Sequence, residues 1–231
     1  MKTVGIVGGI GPESTIEYYS QIIAAYRTHS RAGNYPSIII DSINLRLMID
    51  LITANELAAV TEYLLEALGR LARAGADFAV LAANTPHIVF DELRARSPLP
   101  LISIVESTFA EVETLGMKRV GLFGTRFTMQ ASFYPDVFSR AGIEIILPNE
   151  TEQDFIHTHY MNELINGIFL LETKHRLLQI VDQLRERSGV EGIILGGTEL
   201  PLILTDGEHN GIPFIDTTRI HVKRIVSELV A

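Results

Sequence analysis

The sequence predicts an α/β protein of two similar lobes, each a parallel sheet flanked by helices, with the active-site cleft between them. Three observations carry this. Short apolar runs alternate with long amphipathic segments, the pattern of β–α–β crossovers and of parallel sheets. The order repeats: Val4-Gly5-Ile6-Val7-Gly8-Gly9 is echoed by Val120-Gly121-Leu122-Phe123-Gly124-Thr125 at an offset of 116, and Leu81-Ala82-Ala83-Asn84-Thr85 by Leu195-Gly196-Gly197-Thr198 at 114. The chain has 231 residues, 47% of them hydrophobic, enough for one large domain or two small ones.

Taken in order, Val4–Val7 reads as a buried strand and Glu13–Tyr26 as a helix. Ser37–Ile40 is a strand. Asn55–Ala74 is a long helix, with Leu57, Val60, Leu64, Leu68 and Leu71 at helical spacing and Gly75 as its C-cap. Phe78–Leu81 is a strand, and Ser107–Leu115 a helix ended by Gly116. Val120–Phe123 is a strand, Met129–Ala141 a helix and Glu144–Leu147 a strand. Two helices follow, Glu152–Phe169 and Thr173–Arg187, the second capped by Thr173. Gly192–Leu195 is a strand, Asp206–Gly211 a turn-rich surface loop and Thr217–Val230 the closing helix. The lobes are expected at residues 1–100 plus 210–231 and at 101–209. Facing strand-end loops would then hold a ligand, as the carboxyl ends of open α/β sheets do.

Composition excludes several functions. The net charge of −9 gives no electrostatic footprint for nucleic acid or an anionic membrane. The same charge disfavours an anionic small molecule unless a local positive site receives it. No cysteine is present, so no disulfide framework and no thiolate metal site is expected. His157 and His159, two apart, diverge on a helix and make no zinc pair. The opening apolar run is too short for a signal peptide, and no stretch approaches the ~20 apolar residues of a membrane span. A cytoplasmic location follows as the expectation.

The loop Gly8-Gly9-Ile10-Gly11-Pro12-Glu13-Ser14-Thr15 places small residues between a strand and a helix start, where backbone N–H groups approach an anion. It nearly matches the dinucleotide fingerprint, but Ser14 stands where the third glycine belongs. Asp41 would serve as the ribose acid. A nucleotide-dependent oxidoreductase is therefore an outside alternative.

The loops after Leu81 and Leu195 say more. Ala83-Asn84-Thr85-Pro86-His87 resembles the C-N-T-x-H element of the aspartate/glutamate racemase superfamily. Gly197-Thr198-Glu199-Leu200-Pro201 resembles its C-T-E-hydrophobic-P element. Gly8–Thr15 is similar to the G-G-x-x-x-x-S-T start of the aspartate racemase branch. Gly124-Thr125-Arg126-Phe127-Thr128-Met129, followed by Phe133-Tyr134, is similar to another block of it. The resemblance spans nearly the whole chain and implies a two-lobed, usually dimeric amino-acid racemase that uses no pyridoxal cofactor. It implies two cysteines on opposite faces of the substrate α-carbon, one thiolate removing the α-proton and the other thiol returning one.

Here Ala83 and Gly197 occupy those two positions, and neither side chain carries a proton. Thr85 and Thr198 offer hydroxyls, which are far weaker acids and need an activating base. Two further departures bear on the substrate. The branch's S-x-D-hydrophobic element reads Ser42-Ile43-Asn44-Leu45. The lysine of its E-L-x-K-G-I-F block is Asn166 in Glu163-Leu164-Ile165-Asn166-Gly167-Ile168-Phe169, which leaves weaker, uncharged donors for a side-chain carboxylate.

The expected site therefore comprises Ala83, Gly197, Glu199 and His87 at the reacting positions. Gly9, Ser14, Thr15, Arg46, Asn84, Thr85, Thr125, Thr128, Asn166 and Thr198 are expected around the ligand. Asn84, Thr85 and Thr198 would bind a carboxylate and an ammonium, or cap the next helix. His87 is a general base or a locally bonded side chain. Glu199 is the surviving acid/base group, or a residue favoured by a helix dipole. Arg46 would supply a guanidinium.

The reading is an amino-acid racemase family protein, a homodimer without cofactor or metal, whose ligand is a small amino or carboxylic acid. Three explanations of the missing thiols stay open. The first is natural divergence to a non-racemising binder. The second is another isomerisation, elimination or hydrolysis through Glu199 or His87. The third is deliberate replacement to stop turnover. Asn44 and Asn166 favour divergence.

Overall fold

The computed structural model describes residues 2–29 and 33–231. The chain forms two compact units, Met1–Ser107 with Thr218–Ala231, and Thr108–Thr217. The expectation of two similar α/β lobes holds.

In the first unit, strands β1 (Thr3–Gly8), β2 (Ser37–Ser42), β3 (Phe78–Leu81) and β4 (Leu101–Ile102) form an all-parallel sheet in the order β2-β1-β3-β4. Helix α1 (Pro12–His29) follows β1, α2 (Leu45–Thr53) and α3 (Leu57–Arg73) follow β2, and a 3₁₀ turn (Thr85–Val89) with α4 (Phe90–Arg96) follows β3. One core joins Val4, Ile6, Phe78 and Val80 of the strands to Tyr18 and Ile22 of α1. Val222, Ile225, Val226 and Leu229 complete it from the closing helix. Burying a side chain of that size contributes about 1.5–3 kcal/mol.

In the second unit, β5 (Arg119–Phe123), β6 (Glu144–Ile146), β7 (Gly192–Leu195), β8 (Glu208–His209) and β9 (Ile212–Asp216) are ordered β6-β5-β7-β9-β8, with only the β8–β9 pair antiparallel. Helices α5 (Ile104–Thr114), α6 (Arg126–Gln130), α7 (Phe133–Phe138), α8 (Glu150–Asn162), α9 (Leu171–Ser188), α10 (Leu200–Ile203) and α11 (Thr217–Val230) complete the chain. The core here joins Phe123, Ile193 and Leu195 to Ile156 and Tyr160 of α8 and to Leu177, Ile180 and Leu184 of α9.

The internal repeat extends to single hydrogen bonds. Ala82 donates its amide to the Val7 carbonyl at 3.0 Å, and Gly196 donates to Phe123 at 2.7 Å. Asp77 donates to Thr3 at 2.9 Å, and Glu191 to Arg119 at 2.8 Å. Both pairs keep the offsets of 116 and 114.

Several expected elements are corrected. The helix expected over Met129–Ala141 is broken, with Ala131 extended at ψ 158° between α6 and α7. Pro135 explains the position: in a continuous helix its ring would strike the carbonyl of residue 131 and remove the bond to it, whereas α7 holds it harmlessly in its first turn. The helix expected to reach Phe169 stops at Asn162, and Gly167 turns left-handed at φ +71°. Thr173 does not cap α9, since Leu170 is the N-cap residue; the Thr173 hydroxyl instead donates to Glu163 at 2.6 Å. The loop expected at Asp206–Gly211 contains strand β8. Helices α2, α4 and α10 and strands β4 and β9 are additional.

Candidate functional site

In the first unit, the ends of neighbouring strands β1 and β3 gather the expected residues. Gly9 has φ +75°, and a Cβ there would lie 2.6 Å from Ser42 Oγ and 2.8 Å from the Ile43 nitrogen. Only glycine satisfies both the left-handed backbone and this close approach. Thr15 Oγ1 accepts from the Gly9 amide at 2.8 Å and donates to the Gly11 carbonyl at 3.3 Å. The Gly8 carbonyl accepts from Ile43 at 2.9 Å. The loop is thus stitched by its own groups, and Ser14 is fully buried at the start of α1.

Ala83 and Asn84 follow β3 and are buried, and Thr85 opens the 3₁₀ turn with Pro86 behind it. His87 is buried and stacked on Phe90 with centroids 4.5 Å apart. Its Nδ1 lies 3.2 Å from the Asn84 carbonyl, which can only accept, so Nδ1 carries the proton. Burial, and then the neighbouring His221, push the His87 pKa down to about 3. Neutral His87 is therefore a weak base and no cation at neutral pH.

The Arg46 side chain is 84% exposed and pairs with Asp50 on the same helix at 3.0 Å. Asn44 is the N-cap of α2, its Oδ1 accepting from the Arg46 amide at 2.9 Å and the Leu47 amide at 3.4 Å. Asp41, the ribose acid of the nucleotide alternative, holds the Arg70 guanidinium through Nε and Nη2 at 3.1 and 2.8 Å.

In the second unit, the ends of β5 and β7 lie side by side. Thr125 is the N-cap of α6: its Oγ1 accepts from the Thr128 amide at 3.2 Å and lies 3.2 Å from the Thr128 hydroxyl, both residues being buried. The backbones approach so closely that a Cβ on Gly124 would sit 2.8 Å from the Gly196 carbonyl.

Beyond Gly196 come Gly197, Thr198 and Glu199, with Thr198 and Glu199 fully buried. The Glu199 Oε2 atom accepts from Thr198 Oγ1 at 3.1 Å and, in a short hydrogen bond, from the Tyr160 phenol. Tyr160 reaches this point from α8, and a Cβ on Gly197 would stand 2.9 Å from both its Cζ and its Oη. Burial, the Glu199 charge and their mutual hydrogen bond raise the Tyr160 pKa well above the ordinary phenol value. Asn166 is exposed and turned back on α8, donating its amide to the Asn162 carbonyl at 3.1 Å. It acts there as a C-terminal cap.

Tyr160 is the residue that the sequence reading passed over. It sits in the apolar stripe of α8, and nothing in its own neighbourhood sets it apart. The available signal was the glycine at 197, which leaves a volume that something else fills. Among the described residues, no three His, Asp or Glu side chains gather as a metal ion would require, and no helix is long and apolar enough to cross a membrane.

The family model of the Asp/Glu/Hydantoin racemases matches residues 7–225, taking in every strand but the first residues of β1. The chain belongs to the Asp/Glu/hydantoin racemase family. It is 26% identical to the broad specificity amino-acid racemase RacX of Bacillus subtilis, over 99% of this chain and 98% of that one. An aspartate racemase homologue from Pyrococcus horikoshii has a similar crystal structure, with 34% identity, a TM-score of 0.85 and full coverage of both chains. A candidate Asp/Glu racemase of Yersinia pestis superposes at a TM-score of 0.89 with 31% identity, again over both whole chains. Membership in this racemase family gives the two loops after β3 and β7 their interest, because the resemblance in the sequence places the two thiols there, at Ala83 and Gly197.

Proposed function

We propose that this chain binds a small amino acid or carboxylic acid at the strand-end loops that carry the family motifs, and does so without two-thiol proton transfer. The observation that carries the reading is the pair Ala83 and Gly197 within a family match that spans residues 7–225. The binding parts of the motifs are kept as Asn84, Thr85, Thr198 and Glu199, while the two proton-carrying positions are empty of thiols. Losing one positioned acid or base costs about 10²–10⁴-fold in rate, and both are absent.

The reading extends to a ligand that need not be acidic. The lysine that the resemblance expects before Gly167 is Asn166, and Arg46 is paired with Asp50. The broad specificity of the Bacillus subtilis racemase RacX is in keeping with such a site. The same reading has the protein in the cytosol as a homodimer without cofactor.

Two measurements test it. Thermal shift with both enantiomers of aspartate, glutamate, asparagine and alanine reads binding, since a ligand of the native state raises the midpoint by mass action. Exchange of the α-proton in heavy water, followed by NMR, reads proton transfer. Binding with negligible exchange is expected. Rapid exchange by the unaltered protein would overturn the claim of lost racemase chemistry, and binding of nicotinamide nucleotides alone would overturn the ligand class.

A further inference from the structure

Residue 197 and residue 160 share one volume. A Cβ on Gly197 would lie inside van der Waals contact of three atoms of the Tyr160 side chain, the nearest being Cε2, with Cζ and Oη both at 2.9 Å. Gly197 is not among the glycines of positive φ, so its backbone accepts any L-residue and the obstacle to a side chain is space alone. Tyr160 is itself 5% exposed, fixed at one end by the α8 core around Ile156 and Leu164 and at the other by its bond to Glu199.

We propose that Tyr160 is a specificity-determining residue that stands in the place of the side chain at 197. On this proposal its hydroxyl, tied to Glu199, meets the bound ligand as a hydrogen-bonding group rather than a proton carrier. The inference rests, for its ligand, on the reading given under Proposed function. It also explains why the second thiol position holds glycine rather than a small side chain: alanine would already bring a Cβ against the ring.

The chemistry of the pair points to binding rather than transfer. Both hydroxyls, of Tyr160 and of Thr198, donate to the same carboxylate oxygen, Glu199 Oε2. A phenol fixed in this way keeps its proton at neutral pH, in line with the upward displacement of its pKa by burial and by Glu199. It orients the carboxylate and presents a polar edge, while the ring fills the space that a side chain at 197 would take.

A double-mutant cycle tests the shared volume independently of any ligand. Gly197→Ala alone should lower the melting midpoint by roughly 5 °C or more, as overpacking in a chain of this size does. In a Tyr160→Leu background, which carries its own loss of packing and of the bond to Glu199, Gly197→Ala should cost far less than it does in the parent, giving a coupling well outside additivity. A Gly197→Ala protein as stable as the parent, or additive effects, would overturn the shared volume. Tyr160→Phe tests the contact with ligand, because it keeps the ring and removes only the hydroxyl. With D- and L-aspartate and D- and L-alanine as probes, its affinity should fall about 10-fold for the preferred probe, at an unchanged fold by circular dichroism. Parental affinity in Tyr160→Phe would reduce Tyr160 to a packing residue and overturn the ligand contact. Should none of the probes bind the parent, both the Proposed function and the ligand contact fail, whereas the stability cycle still decides the shared volume.

Discussion

Thr15 closes the first loop onto Gly9: its hydroxyl oxygen accepts the Gly9 amide at 2.8 Å, six residues back in the chain. The sequence reading gives that amide to an incoming anion, as glycine-rich helix starts often do. In the folded chain it is already satisfied, and the same hydroxyl donates a hydrogen bond to the Gly11 carbonyl. Thr15→Val removes the oxygen while keeping the shape, and leaves the Gly9 donor without its partner. The expected loss is about 1–2 kcal/mol of unfolding free energy, measured by urea titration. Thr15→Ser keeps the oxygen and should stay close to the parent. A loss in Thr15→Ser with Thr15→Val as stable as the parent would show that the methyl group against Gly8, not the hydroxyl, holds the loop.

His221 and His87 make the fold of the first unit sensitive to acid. His221 Nδ1 accepts from the Tyr18 hydroxyl at 2.7 Å and its Nε2 donates to the Ile102 carbonyl at 3.1 Å, so the buried ring is neutral and joins α11 to α1 and β4. Burial lowers its pKa to about 4, and that of His87 to about 3. Above the unfolded value of roughly 6.5, both states are neutral and neither group makes stability depend on pH. Below it the unfolded chain takes up protons that the folded chain refuses, and stability falls until the folded pKa values are reached. Each ring contributes up to about 1.4 kcal/mol per pH unit over the ~1.5 units below 6.5, so the two together should cost about 4 kcal/mol between pH 7 and pH 5. Urea titrations at the two pH values measure this, and NMR of the two rings should still show neutral imidazole at pH 5. A flat stability profile would mean that the rings open to solvent.

Much of this architecture was legible because periodicity and repetition speak for themselves. Strand Phe78–Leu81 and helix Thr217–Val230 have the limits that their apolar patterns give. The repeat at 116 and 114 survives as matched hydrogen bonds from Ala82 and Gly196. What was missed has particular causes. Strand β4 has only two residues, too few for any pattern. Strand β9 contains Pro213, which argues against a strand, yet its pairing with β7 begins one residue later at Phe214. Helix α2 was hidden by reading Ser42–Leu45 as a family motif, although Asn44 is an N-cap and Met48 and Ile52 form a buried pair one turn apart. At the site, strand-end residues were found from the motifs, but Tyr160 was not, because a contact between a helix and a distant loop leaves no local trace.

Asn44 separates a structural from a functional role at one atom. It caps α2 where the branch pattern has an aspartate. Asn44→Ala should cost about 1 kcal/mol, the usual value of an N-cap. Asn44→Asp retains the accepting oxygen and places a negative charge at a helix start, which the dipole favours, so its stability should equal or slightly exceed that of the parent. Thermal unfolding of the three proteins measures this. A destabilised Asn44→Asp would show that its amide nitrogen is used as a donor.

Residue 166 bears on the charge of the ligand. Asn166 holds the end of α8 through its bond to the Asn162 carbonyl and stands where the resemblance expects a lysine. The position is exposed, and a cation near a helix C-terminus is favoured by the dipole, so Asn166→Lys should change stability by less than about 1 kcal/mol. Its effect on binding should be larger. An uncharged amide does little to select a side-chain carboxylate, whereas an ammonium group forms a charge-assisted bond about twice as strong as a neutral one. Aspartate and glutamate should therefore gain about 10-fold in affinity, equivalent to ~1.4 kcal/mol, while asparagine and alanine gain nothing. Competition titrations of the four amino acids against parent and variant measure the ratio directly. If the variant gains equally for all four, the lysine acts through the helix end rather than on the ligand. If it gains for none, residue 166 lies away from the ligand and the selection of charge falls to another residue.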